Sequence, residues 1–175
     1  MPTTAVHYPA TVTQDASAFV DWTNASNATT SNNSRASVVL TTGQQSELLN
    51  ASGYDFSDEL SATALVTAIY IDVEWYQNSL ETIVDNRVYA TMVATSANIS
   101  TGQFPSGTSD TVDTFTLTNL AFAGAVRLAQ LDVLNVQVGV LCNSDGTCNT
   151  DSIGVRVRWE YPRQSGAVKR LLLGL

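Results

Sequence analysis

Charged side chains are scarce in this chain of 175 residues, and Lys169 is its only lysine. Asp, Glu, Lys and Arg make up 14% of the sequence, against about 25% in an average soluble domain. The formal net charge is −8. Because nucleic-acid binding depends on Lys and Arg contacts to phosphates, this balance argues against a nucleic-acid partner.

Histidine occurs once, as His7, so a histidine-activated nucleophile would have to use a side chain near the start of the chain. Asp72 and Glu74 lie two positions apart on a predicted strand, roughly 7 Å apart, which suits a glycosidase pair. Acidic side chains also belong on the solvated face of such a strand. We therefore expect no catalytic residue and no enzymatic activity.

The acidic stretches 55–59 and 145–151 do not follow the twelve-residue calcium loop with its glycine and final glutamate. The chain also lacks the four Cys or His side chains of a structural zinc site. We expect no metal and no cofactor. The two cysteines, Cys142 and Cys148, flank an Asp145-Gly146 turn. A hairpin there would bring them within disulfide distance, and the sequence leaves a disulfide and two free thiols both open.

Long apolar runs are missing as well. The chain has no run of about 18 apolar residues, the length that a membrane-spanning helix needs. Met1 to Ala10 has neither the basic nor the apolar region of a signal peptide. We therefore expect no membrane partner and no secretion signal.

Small uncharged polar residues take the place of the charges. The chain has 22 Thr, 17 Ser and 12 Asn. Threonine favours pleated, half-buried surfaces, and uncharged polar groups lose less free energy than charged groups when they leave water. Such a surface is suited to packing against other molecules.

Apolar and polar residues alternate with period two in six segments, which predicts strands. The segments are 37–41, 65–76, 87–95, 114–120, 134–142 and 153–161. One polar face per strand is typical of antiparallel sheets. The sequence predicts an all-β, antiparallel β-sandwich of the jelly-roll type over residues 37–162. An irregular N-terminal arm precedes it at 1–36 and a tail follows at 163–175. Residues 44–51 and 123–131 are predicted to form short helical turns.

The tail carries the strongest partner signal. Its basic and leucine side chains are Arg163, Lys169, Arg170, Leu171, Leu172, Leu173 and Leu175. Edge pairing or groove docking on a neighbouring protein would shelter the leucines, so we expect this tail to bind a partner. Tyrosines predicted on polar strand faces are a second contact signal. They are Tyr70, Tyr76 and Tyr89. The long loop 96–113, with Phe104, is a third.

The segments 19–24, 48–56, 65–75 and 154–161 together resemble the layout of β-sandwich structural proteins of tailed bacteriophages. The resemblance implies a non-enzymatic virion protein, made in the host cytoplasm. The favoured role is a capsid decoration (cement) protein, a dimer or trimer that binds and stabilises the phage head through its major capsid protein. The alternative is a receptor- or carbohydrate-binding fibre or tail module, with Phe104 and the three tyrosines as its contact surface.

Overall fold

A computed structural model describes residues 1–78, 82–92, 95–99, 107–118 and 126–162 as two antiparallel sheets packed face to face. The strands are β1 (Thr11–Gln14), β2 (Ala36–Leu40), β3 (Leu49–Ser52), β4 (Leu65–Gln77), β5 (Ile83–Met92), β6 (Thr95–Asn98), β7 (Thr111–Leu117), β8 (Asn135–Cys142) and β9 (Gly146–Glu160). A 3₁₀ turn at Ala25–Ala28 and a one-turn helix α1 at Leu128–Leu131 complete the elements.

The strands pair in a nested order. One sheet runs β2-β9-β4-β7 and the other β1-β3-β8-β5-β6. From β2 onward the first strand therefore pairs with the last, the second with the second-last, and so on to β5 with β6. This is the strand order of a double-sheet jelly roll, with β1 added at one edge. The predicted fold class is confirmed.

The core lies between the two sheets and follows the period-two alternation. On β4, Ile69, Ile71, Val73 and Trp75 are at most 1% exposed. Alternate residues of β5, β8 and β9 are equally buried on the same interior. A strand whose side chains alternate between two faces buries one face when two sheets pack together, so the apolar pattern fixed which face is inside.

The predicted hairpin around Asp145-Gly146 is wrong. β8 belongs to the five-stranded sheet and β9 to the four-stranded sheet, so the turn carries the chain from one sheet to the other. Gly146 does not adopt a positive φ angle. Instead, Asp145 Oδ1 accepts hydrogen bonds from the backbone N–H and the hydroxyl of Thr42, at 2.8 and 3.1 Å. The turn is therefore held by a loop that is distant in sequence.

Residues 1–36, the predicted N-terminal arm, are largely irregular, and they pack on the sandwich. They supply β1 to one sheet and Trp22, 3% exposed, to the core. Residues 2–7 lie beside the part of β9 that extends beyond its pairing with β2. There the N–H of His7 donates to the carbonyl of Val155 at 2.8 Å, and the N–H of Val155 donates to the carbonyl of His7, also at 2.8 Å. Residues of the predicted N-terminal arm therefore contribute both to a sheet and to the core.

Two helix predictions differ from the structure, and three short strands, β1, β3 and β6, were not predicted. Residues 44–51 were predicted to form a helical turn, but Gln45 bridges Leu141 of β8, and residues 49–51 belong to β3. β1 and β6 have four residues each, too short to show a clear alternation. Within the described part of the helical segment predicted at 123–131, α1 spans Leu128–Leu131, and residues 126 and 127 lie outside it.

No helix among the described residues is long and apolar enough to cross a membrane.

Candidate functional site

The structure describes three of the predicted contact residues, the tyrosines, and it places them on two different faces. The whole tail 163–175 and Phe104 lie outside the described residues. Tyr70 and Tyr76 lie on the outer face of the four-stranded sheet, and Tyr89 lies on the outer face of the five-stranded sheet. All three are half-buried rather than fully exposed. The tyrosines therefore do not form one contact patch.

Arginines cover Tyr70 and Tyr76. The guanidinium carbon of Arg156 lies 5.3 Å from the Tyr70 ring centroid, and that of Arg35 lies 5.2 Å from the Tyr76 ring. These distances are in the range of cation–π contacts. Arg35 is held in place by Asp110 at 2.5 Å. This arrangement accounts for the half-burial of both rings.

Asp72 is engaged in a structural network. Its carboxylate accepts from Nε of Arg156 at 2.5 Å and from Nη2 at 2.7 Å. The hydroxyl of Thr114 donates to Oδ1 at 2.6 Å. The hydrogen bond with Asp72 raises the pKa of Arg156 above its ordinary value. Two-pronged pairing of this kind fixes both side chains.

Glu74, the other half of the predicted carboxylate pair, accepts a hydrogen bond from the hydroxyl of Ser152 at 3.2 Å. It lines a small pocket with Asp72, beside Val6, Tyr8 and Val112. Burial raises the pKa of Tyr8, and the nearby Glu74 adds to the rise. The two carboxylates therefore share a pocket, but the Asp72 carboxylate is already ion-paired with Arg156.

Asp151 is 1% exposed and holds the N-terminal region. Its Oδ2 atom accepts from the backbone N–H groups of Asn32 and Asn33, both at 3.1 Å. Its Oδ1 atom finds no hydrogen-bond partner among the described residues. Burial raises the pKa of this carboxyl above its ordinary value.

The outer face of the five-stranded sheet carries two adjacent rows of uncharged polar side chains, which we name the polar platform. The first row consists of Thr13, Asn50, Gln137 and Tyr89, and the second of Thr11, Ser52, Asn135 and Thr91. Members of a row are direct partners on β1, β3, β8 and β5. Each of their sequence neighbours on β3, β8 and β5 points into the core.

Hydrogen bonds orient the amides of the first row. Gln137 Nε2 donates to Asn50 Oδ1 at 2.6 Å, and Asn50 Nδ2 donates to Asp15 Oδ1 at 2.6 Å. In the second row the hydroxyls of Thr11 and Ser52 are 3.1 Å apart. The amide oxygen of Asn135 is buried and finds no partner among the described residues.

A loop stands at one end of the polar platform. Glu47, 1% exposed, accepts from the N–H groups of Ser17 and Phe19, both at 3.0 Å, and from the Ser17 hydroxyl at 2.7 Å. This places the Phe19 ring, 45% exposed, over Arg87, whose guanidinium carbon is 4.5 Å from the ring centroid. Arg87 precedes Tyr89 on the same face of β5. The Phe19 ring therefore lies one same-face position beyond Tyr89 along β5.

Sequence reasoning predicted the polar face of β8 but missed the platform. Asn135 and Gln137 alternate with buried valines, which was visible in the sequence. Their partners on β3 and β5 lie 44 to 87 positions away in the chain. A nested strand order brings such distant segments together, and a single strand's alternation does not reveal it.

The cysteines are buried and both are free. Cys148, on β9, is opposite Val38 and Gln77, while Cys142 ends β8 in the other sheet. Burial raises the pKa of the Cys148 thiol to about 12. Within the described residues, no three His, Cys, Asp or Glu side chains are grouped so as to hold a metal ion.

No protein-family model matches this chain, and no curated protein matches it. Among solved structures it is similar to the VP2 subviral particle of infectious bursal disease virus, at 7% sequence identity and a TM-score of 0.25. The match covers 71% of this chain and 36% of that chain. A likeness this weak assigns no function, and the class of protein, a jelly-roll β-sandwich, rests on the strand pairing alone.

Proposed function

We propose that this chain is a non-enzymatic structural protein of a virus particle, and more specifically a capsid decoration protein of a tailed bacteriophage. Double-sheet jelly rolls recur in viral capsid, lectin and cupin domains. Because a fold hosts many functions, the fold alone does not choose among them. The choice depends on the surface and on the C-terminal tail.

The single observation that carries the proposal is the division of charge between the tail and the rest of the chain. Residues 1–162 contain sixteen acidic and five basic side chains, a net charge of −11, whereas the tail contains three basic and no acidic side chains. Four of its last five residues are leucine. A basic, leucine-rich segment after an acidic sandwich is suited to docking on another protein.

The position at which the described chain ends, just before the tail, supports such docking. Pro162 follows β9 at the strand end opposite the turn at 143–145. Pro2 lies beside Trp159, and the backbone N–H of Trp159 donates to the carbonyl of Pro2 at 3.1 Å. Both termini of the described chain are therefore at one end of the sandwich. Contacts there, repeated over many copies of the protein, would add up to strong attachment.

The carboxylates give the proposal further support. The pair that would serve a glycosidase is bound to Arg156 and Ser152.

The proposed partners are the major capsid protein and further copies of the chain in a dimer or trimer. The proposed location is the virion, after synthesis in the host cytoplasm.

The test is co-sedimentation of the purified full-length chain with virus particles from the source of this sequence. We expect the full chain to bind and a chain without residues 163–175 to remain folded but unbound. Two tail variants separate the contributions. Leu171, Leu172 and Leu173 all changed to Ser keeps the charge, and Lys169→Gln with Arg170→Gln keeps the leucines. Full occupancy by the truncated chain would contradict the proposal.

A further inference from the structure

We propose that the polar platform is a binding site for a neutral oligosaccharide. This function goes beyond attachment to a particle and uses a different part of the molecule. It is carried by the outer face of β1, β3, β8 and β5, none of which includes the tail.

The chemistry of the platform matches sugar hydroxyls. Its two rows contain amide and hydroxyl groups only, and each such group can donate as well as accept hydrogen bonds. None of these side chains is charged. A neutral ligand rich in hydroxyls can pair with such a surface without leaving a buried charge unpaired, whereas an ionic ligand would lack a counter-charge in either row.

The amides of the first row are oriented before any ligand arrives. The chain of hydrogen bonds from Gln137 through Asn50 to Asp15 uses 2.6 Å contacts at both steps. It fixes which side of each amide is the oxygen, and so which atoms face a ligand. Fixed donors and acceptors reduce the entropy lost on binding.

Aromatic rings flank the oriented amides. Tyr89 ends the first row on β5, and the Phe19 ring lies over Arg87, two residues earlier on the same face of β5, where the Glu47 hydrogen bonds hold it. The apolar face of a ring packs against the C–H face of a sugar, while the amides take its hydroxyls. Binding sites of small molecules combine these two kinds of group.

The size of the platform favours a short saccharide over a second protein. Three strand spacings make each row about 14 Å long, and the two rows are about 7 Å apart. A stable protein–protein interface buries roughly 800 Å² on each partner and has an apolar centre. The platform is several times smaller and polar throughout, so it suits a ligand of a few sugar units.

The test screens the full-length chain against an array of neutral, sialylated and sulfated oligosaccharides. The best neutral saccharide is then titrated by calorimetry. The key variant is Thr13→Glu, which places a charge at an exposed position of the first row. Its matched control is Thr116→Glu, an exposed threonine on the outer face of β7, the edge strand of the other sheet. Gln137→Glu removes the amide donor at nearly constant size.

We expect a neutral saccharide to bind, Thr13→Glu and Gln137→Glu to weaken it at least tenfold, and Thr116→Glu to leave the affinity within twofold. Thermal unfolding of each variant checks that it is folded. No neutral binder on the array, binding confined to charged glycans, or equal loss in Thr116→Glu overturns the inference. So does a change in the sedimentation of Thr13→Glu without any saccharide binding, because that outcome identifies a protein contact. None of these results depends on whether the chain binds a virus particle.

Discussion

Replacing Asp72 by asparagine tests whether its carboxylate is structural. In the native chain this carboxylate takes two hydrogen bonds from Arg156 and one from Thr114. The side-chain amide of the Asp72→Asn variant would still accept through its single oxygen, but its NH₂ group would face the N–H of Arg156. One charged hydrogen bond is then lost and a second is weakened.

The magnitude follows from the burial of the pair. A hydrogen bond to a charged group contributes about 1.5–3 kcal/mol. The Asp72 side chain is 8% exposed, but that of Arg156 is 33% exposed, so water replaces part of the lost interaction. We expect Asp72→Asn to lower the free energy of unfolding by about 2 kcal/mol, which lowers Tm by about 4–8 °C in a chain of this size.

The assay is urea unfolding together with thermal unfolding, with Asp58→Asn as the matched control at an exposed position. The control should change stability by no more than about 0.5 kcal/mol. In the double variant with Arg156→Gln, the two losses should not add, because both remove the same interaction. An Asp72→Asn chain as stable as the control would refute this reasoning. Glycan hydrolysis by the native chain that Asp72→Asn abolishes would instead identify an enzyme.

Three further predictions follow from single sites. Gly53→Ala should lower Tm more than Gly43→Ala. Both glycines have φ near +80°, but a Cβ at Gly53 would lie 2.8 Å from Ala10 Cβ, whereas a Cβ at Gly43 would have no atom within 4 Å. Equal losses of Tm would contradict the packing of the N-terminal region on β3. Asp151→Asn should raise Tm at pH 7, because burial raises the pKa of Asp151 and its ionised form therefore destabilises the folded chain. The gain in Tm should vanish as the pH falls below the ordinary aspartate pKa of 3.8. A lower Tm at pH 7 would contradict this prediction. Neither cysteine should react with iodoacetamide in the native chain at pH 8, and both should react in urea; rapid native labelling would contradict their burial.

The long strands could be predicted from the sequence because alternation is a local signal. Ile69, Ile71, Val73 and Trp75 show it on β4, and the valines of β8 and β9 show it equally well. The direction of each face follows from that pattern alone. The fold class follows from several such strands in succession.

The pairing of the strands could not be predicted, because it depends on contacts between distant segments. The Asp145-Gly146 turn has the composition of a hairpin turn, but β9 gains partners on β2 and β4 instead of β8. The same nesting brings Asn50, Gln137 and Tyr89 into one row. Asp72 lies on the predicted outer face but is only 6% exposed, because Arg156 reaches it from the neighbouring strand.

The irregular N-terminal region shows how sequence composition can mislead. Its Asn- and Ser-rich stretch correctly predicts a loop. The composition does not indicate where on the sandwich that loop packs. The buried carboxylate of Asp151, more than 100 positions away, accepts the N–H groups of Asn32 and Asn33. The polar loop is thus fixed to the sandwich by these hydrogen bonds together with the buried Ala28.

The most direct test of the proposed function is the copy number of this chain in purified virus particles, measured by quantitative mass spectrometry against the major capsid protein. The account predicts a fixed ratio of small whole numbers, lost when residues 163–175 are deleted. A chain absent from the particles, and monomeric when purified, would contradict it.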